Sequence, residues 1–103
     1  MKSKKNLYKE NPEENIILDF KSCKYYFDIH KELKEKFKFP DYYGNNWDAL
    51  WDCMREFFNS KLTIEIYGFE YIEKKFGKDV YKMRDIFNDI QKENYDVKVI
   101  IRD

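Results

Sequence analysis

Asp48 and Asp52 lie four residues apart in a stretch that also holds Tyr42, Tyr43, Trp47 and Trp51. On a helix that spacing puts two side chains on one face, with Cβ atoms about 5–6 Å apart. The carboxylates would then project together beside flat rings. The groups that catalysis would need around them are missing. His30 is the single histidine, so a two-histidine acid–base pair cannot form, and it falls on the apolar stripe of its helix, where a packed structural role is expected. Cys53 has no basic neighbour in sequence and sits among apolar residues at mid-helix, so it is not expected to act as a nucleophile. With three glycines in the whole chain there is no Gly-rich phosphate loop, and neither G-x-S-x-G nor H-E-x-x-H occurs. Cys23 and Cys53 form no C-x-x-C pair and have no histidine at zinc spacing, so reduced thiols are expected. No enzymatic activity, metal or cofactor is expected. Anionic oxygens and aromatic rings sharing one surface would instead suit a basic groove on another protein.

The elements that must position this stretch can be read from apolar spacing. Residues 15–20 hold the short run Ile16-Ile17-Leu18, suited to a buried strand. Tyr26, Ile29, His30, Leu33 and Phe37 recur at helical spacing and predict a helix over 26–37. Pro40 stops it, because the residue before a proline is pushed away from helical backbone, and Gly44 with Asn45 and Asn46 favours turns, so 39–46 reads as a loop. Asn46 can cap a helix over 47–58, with Asp48 at the positive end of its dipole. Residues 61–67 alternate Leu62, Ile64 and Ile66 with Thr63 and Glu65 and read as a strand. A short helix is expected over 69–76, an amphipathic helix over 79–93 from Val80, Met83, Phe87 and Ile90, and a last strand over 96–102. The order β, α, α, β, α, α, β predicts an α/β fold, a three-stranded parallel sheet packed against about four helices. Residues 1–14 have few apolar anchors and read as a mobile N-terminal tail, leaving 15–103 as the one domain.

The helix over 47–58 has two candidate inner faces. At about 100° per residue, Ala49, Leu50, Cys53, Met54 and Phe57 fill one arc of roughly 140°, opposite Trp47, Asp48, Trp51, Asp52 and Arg55. A core built on Trp47, Leu50, Trp51 and Met54 fits the same period. If Trp51 and Asp52 face outward beside Tyr42 and Tyr43, the surface is an acidic and aromatic patch.

The string Y-Y-G-x-N-x-D-A-L-W-D-C over residues 42–53, within F-P-D-Y-Y-G-N-N-W-D-A-L-W-D-C from Phe39 to Cys53, resembles the loop and second helix of the barstar family, intracellular protein inhibitors of barnase-type secreted ribonucleases. The likeness extends over the element order from Asn15 to Asp103. It implies a barstar-like fold and a proteinaceous inhibitor that plugs a ribonuclease active site. The inhibitory contacts then fall on Tyr42, Asn46, Asp48, Trp51 and Asp52, with Tyr43, Gly44, Trp47 and Arg55 beside them and Asp89 where the family has a glutamate. Asp48 and Asp52 would replace two phosphates among the cations of the cleft, with Tyr42 and Trp51 packing where bases stack. The chain departs from the pattern at Trp47, which replaces a leucine, at Arg55-Glu56-Phe57, which replaces a threonine and a glycine followed by a tryptophan, and at Tyr95, which replaces the family's second cysteine and leaves Cys53 without an inherited partner.

Composition agrees with a small interaction domain. The 103 residues carry 20 Lys and Arg against 20 Asp and Glu, with 39% charged and 19% aromatic residues. One modest core can form at this length without disulfides. Zero net charge draws the chain neither to nucleic acid nor to an anionic membrane. The resemblance implies an acidic inhibitor, so the neutral charge here, with Arg55-Glu56-Phe57 at the expected surface, leads us to expect weaker steering toward a basic nuclease and a different cognate nuclease. No stretch is long enough to span a bilayer and no leader is evident, so a cytoplasmic protein, monomeric when free, is expected. Two other readings remain open. A barstar-like fold could serve as an interaction or regulatory module without a nuclease target. The lysines at 2, 4, 5 and 9, with Tyr8, could bind nucleic acid, although the acidic face would repel phosphate.

Overall fold

The computed structural model describes residues 14–57 and 59–103. Strands β1 (Glu14–Asp19), β2 (Leu62–Tyr67) and β3 (Val97–Ile101) form one parallel sheet in the order β1-β2-β3. Helices α1 (Phe27–Phe37) and α2 (Trp47–Met54) connect β1 to β2, and α3 (Phe69–Phe76) and α4 (Tyr81–Glu93) connect β2 to β3. Parallel strands need such crossovers, and the expected α/β architecture is present. Single turns of 3-10 helix follow α2 (Arg55–Phe57) and precede α4 (Lys78–Val80). The expected tail lies outside the described residues except at Glu14, which already belongs to β1 and pairs with Leu62.

Side-chain alternation on β2 sets the core. Leu62, Ile64 and Ile66 are buried, and the parallel register aligns Ile64 with Ile16 and Val99, and Ile66 with Leu18 and Ile101. Against this face lie Ile29 and Leu33 of α1, Leu50 and Met54 of α2, Ile72 of α3, and Met83, Phe87 and Ile90 of α4, all fully buried. Each such side chain contributes roughly 1.5–3 kcal/mol relative to exposure. The other face carries the row Ile17, Glu65 and Ile100. There Asn15 and Arg102 donate hydrogen bonds to Glu65 and hold its carboxyl below its usual range. The expectation that β1 is a buried strand needs correction on this point. Ile17 is 45% exposed, because the helices pack on the opposite face and a two-layer sheet buries every second residue.

Helix side chains occupy backbone groups on both open edges. On β1, the Asp19 N–H donates to Glu32 Oε2 at 2.8 Å, and Lys36 Nζ donates to the Ile17 carbonyl at 3.4 Å while pairing with Glu32. On β3, the Val99 N–H donates to Gln91 Oε1 at 2.8 Å. Groups satisfied in this way are withdrawn from pairing with a further strand. Among the described residues no helix is long and apolar enough to cross a membrane.

Two helix boundaries differ from the periodicity. α2 ends at Met54 instead of reaching 58, and the Arg55 N–H is shared between the Asp52 and Cys53 carbonyls. The tighter turn accompanies packing of Phe57 on Phe37, with ring centroids 5.6 Å apart. The helix expected from 79 begins at Tyr81, after the 3-10 turn that carries Asp79.

Gly68 starts α3 with φ +83°, and a Cβ there would come within 2.8 Å of the Lys21 backbone nitrogen. The Asp103 carboxylate receives the next two free N–H groups, those of Phe69 and Glu70, at 2.8 and 2.9 Å. Gly68→Ala meets both left-handed strain and a backbone clash, so it is expected to lower unfolding stability in urea by about 2 kcal/mol or more.

Candidate protein interface

The loop between α1 and α2 is folded from inside by its aromatic residues. Lys38, at φ 59°, ends α1 in left-handed backbone. Phe39 then stacks on Phe37 with centroids 5.3 Å apart, and Tyr43 packs on Phe39 at 5.0 Å. The Tyr43 N–H returns to the Pro40 carbonyl at 3.0 Å, closing the turn. Asn45 takes the left-handed position at φ 55°. Gly44 has another role, since a Cβ there would press on the Asn46 side-chain nitrogen at 3.3 Å. That room matters because Asn46 caps α2, its Oδ1 accepting from the Ala49 N–H at 2.8 Å.

A second set of contacts holds the start of α2 to the rest of the protein. The Trp47 Nε1–H donates to Asp79 Oδ2 at 2.9 Å, and the Tyr26 hydroxyl donates to the same oxygen. Lys82 Nζ stands 3.3 Å from the other oxygen. The bond from Tyr26, then that from Trp47, holds the Asp79 carboxyl below its usual range, while burial and then Asp79 push the Tyr26 hydroxyl up. His30 lies beneath this cluster with its ring 4.6 Å from Trp47 and its Nδ1 hydrogen-bonded to the Tyr43 hydroxyl at 2.8 Å. It is 1% exposed, and its Nε2 has no hydrogen-bond partner among the described residues. A second proton would therefore place an unpaired charge in the interior. Burial lowers its pKa to about 4, opposed by the nearby charge of Asp79.

These anchors settle which face of α2 points outward. Leu50, Cys53 and Met54 are buried, whereas Asp48, Asp52 and Arg55 are exposed. Trp51 is half-buried and packs against the core. Tyr42 is 83% exposed, and Gly44 and Asn46 are exposed beside it. Among the described residues, neither Asp48 nor Asp52 takes part in an ion pair. Asp89, on the adjacent helix α4, is exposed and stands 3.9 Å from Lys92.

Two residues expected on the outer patch lie elsewhere. Tyr43 is 4% exposed, because its ring continues the Phe37–Phe39 stack and its hydroxyl bonds to His30. The indole of Trp47 is turned toward Asp79, Tyr26 and His30, and it is half-buried. Sequence reading missed Tyr26 and Asp79 as positioning residues, since nothing in the spacing separates Asp79 from the other acids of the chain. Cys53 and Cys23 are both free and buried. Burial raises both thiols, Cys23 to about 11, which leaves neither as a ready nucleophile.

The family model described as "Barstar (barnase inhibitor)" matches residues 14–102, the whole of the sheet and all four helices. The chain belongs to the barstar family. A Bacillus subtilis (strain 168) protein named "Putative ribonuclease inhibitor YrdF" is 36% identical over 87 residues, covering 84% of this chain and 96% of that protein. Within this barstar-family fold, the exposed carboxylates of α2 are carried by a helix whose first turn is bonded to Asp79.

Two measurements check that attachment. Asp79→Ala removes the acceptor for two part-buried donors and is expected to cost about 2 kcal/mol of stability in chemical denaturation. The second concerns acid. The unfolded chain protonates His30 near its ordinary value of 6.5, and the folded chain only near 4, so stability falls as pH drops from about 6.5 to about 4. That loss is worth about 3 kcal/mol at most. Asp79, with its lowered pKa, adds stability that is lost only as pH falls through its folded value. Urea titrations across this range should show the decline above pH 4, and His30→Gln should flatten it.

Proposed function

We propose that the protein is an inhibitor that blocks the active site of a barnase-type ribonuclease, with an immunity or antitoxin role inside the cell that makes or meets the nuclease. The observation that carries this reading is the pair of exposed carboxylates, Asp48 and Asp52, one helical turn apart on an anchored helix and without intramolecular cations among the described residues. Membership of the barstar family and the inhibitor name of the Bacillus relative support the same reading.

A ribonuclease cleft holds phosphates with arginine, lysine and histidine. Two carboxylates at this spacing can accept charge-assisted hydrogen bonds from those groups. The ring of Tyr42 and the open side of Trp51 supply flat apolar surface where bases would stack, with Asn46 and Gly44 at the rim. The inhibitor therefore imitates the anionic and aromatic features of RNA and offers no bond to cleave. Asp89 adds negative charge from the neighbouring helix, and Arg55 adds a positive charge that selects against a nuclease with a basic rim at that point.

Titrating a barnase-type ribonuclease with the protein is expected to abolish RNA cleavage at one equivalent. Asp52→Ala is expected to weaken binding most among single changes at this face, because it leaves cations of the cleft buried and unpaired. The expected size is several kcal/mol, taken over from the barnase–barstar pair itself, whose close charge pairs couple by about 1.5–7 kcal/mol. Calorimetry that found the same affinity for Asp52→Ala as for the unsubstituted protein would exclude this face.

A further inference from the structure

A groove of about 450 Å³ runs between α1 and the loop that leads to α2. Phe27, Lys31, Lys34 and Lys38 form its helical side, and Phe39 and Asn45 form its loop side. Phe27 is 55% exposed, a large apolar ring left in water at the start of a helix, while Phe39 is buried and closes the floor. Lys31 and Lys38 take part in no ion pair among the described residues. Lys34 stands 3.4 Å from Asp41, whose side chain is fully exposed, an arrangement worth little in water. Glu35 is the one acid among the lining residues, with Asp41 at the edge beside Lys34 and Asp28 near Lys31 on the far side of that lysine. The groove is therefore cationic and apolar, opposite in sign to the neighbouring face. It is also continuous with that face along the chain, since Asn45 precedes the Asn46 cap of α2 and Tyr42 lies on the same loop.

We infer that the protein's ribonuclease partner carries, beside its basic cleft, an acidic segment with an apolar side chain that seats on Phe27 among Lys31, Lys34 and Lys38. This rests on the reading of the Asp48 and Asp52 face as inhibitory. A uniformly basic partner would meet repulsion at the groove, and a polyanion such as RNA would meet it at Asp48 and Asp52 on the neighbouring face. A partner with both signs in the right places satisfies both surfaces, and the groove then acts as a specificity element that rejects nucleases lacking the acidic segment. The arrangement also gives the balanced net charge of the chain a local meaning.

The probe is the capped hexapeptide Glu-Glu-Leu-Phe-Glu-Glu, titrated into the isotopically labelled protein and followed by amide chemical shifts, with a single-stranded oligouridylate of equal charge as the comparison. Saturable shifts centred on Phe27, Lys31, Lys38 and Asn45 are expected with the peptide and not with the oligouridylate. The double variant Lys31→Glu, Lys38→Glu is expected to weaken peptide binding roughly tenfold, as two reversals at an exposed rim should. No saturable shift in the groove, or equal binding of the oligouridylate there, overturns the inference. Asp52→Ala should bind the peptide like the unsubstituted protein. A groove that fails leaves ribonuclease inhibition intact, whereas loss of the inhibitory reading appears as uninhibited cleavage with peptide binding preserved, so the two failures are distinct.

Discussion

The Asp79 carboxylate accepts hydrogen bonds from Tyr26 at the head of α1 and from Trp47 at the head of α2, and the direction of the outer face follows from that attachment. α2 has only eight residues, too few to hold its own orientation in water. It is fixed at one end by the Asn46 cap and the Asp79 bond, and along its inner side by Leu50, Cys53 and Met54. With those contacts made, Asp48 and Asp52 lie on the solvent side of α2. A helix anchored in this way would give up little backbone freedom on meeting the proposed partner.

The same cluster explains why the loop carries so much aromatic content. Phe39 and Tyr43 face inward on Phe37 and His30, so that Tyr42 between them faces solvent. Burying alternate rings of a short loop is an economical way to expose one, because the loop then has a core of its own. Burial of His30, with Nε2 left without a partner among the described residues, keeps that histidine neutral and makes the packing beneath α2 sensitive to acid.

Charge is organised locally in a chain with no net charge. The acids of α2 have no internal cations among the described residues, while Lys31, Lys34 and Lys38 line the groove beside Phe27. Two such patches of opposite sign, a few residues apart along one loop, give a dipolar surface. Over distances beyond the Debye length of about 8 Å, the proposed partner would feel little of it, so the two patches would act at contact more than in steering.

Much of the fold was legible from residue spacing. The alternation of Leu62, Ile64 and Ile66 marked a strand, the recurrence of Met83, Phe87 and Ile90 marked a helix, and Asn46 marked a cap, because these signals rest on local backbone geometry that neighbouring residues carry themselves. The string over residues 42–53 was equally visible as a family likeness. Spacing left open which arc of α2 faces inward, and the expectation that Tyr43 and Trp47 join the outer patch did not match their packing. Those answers depend on His30 and Asp79, which stand 13 residues from Tyr43 and 32 from Trp47 along the chain. Composition and period determined the elements, and only their packing decided which rings and acids meet the solvent, since a side chain's partner across the core leaves no mark on the residues next to it in sequence.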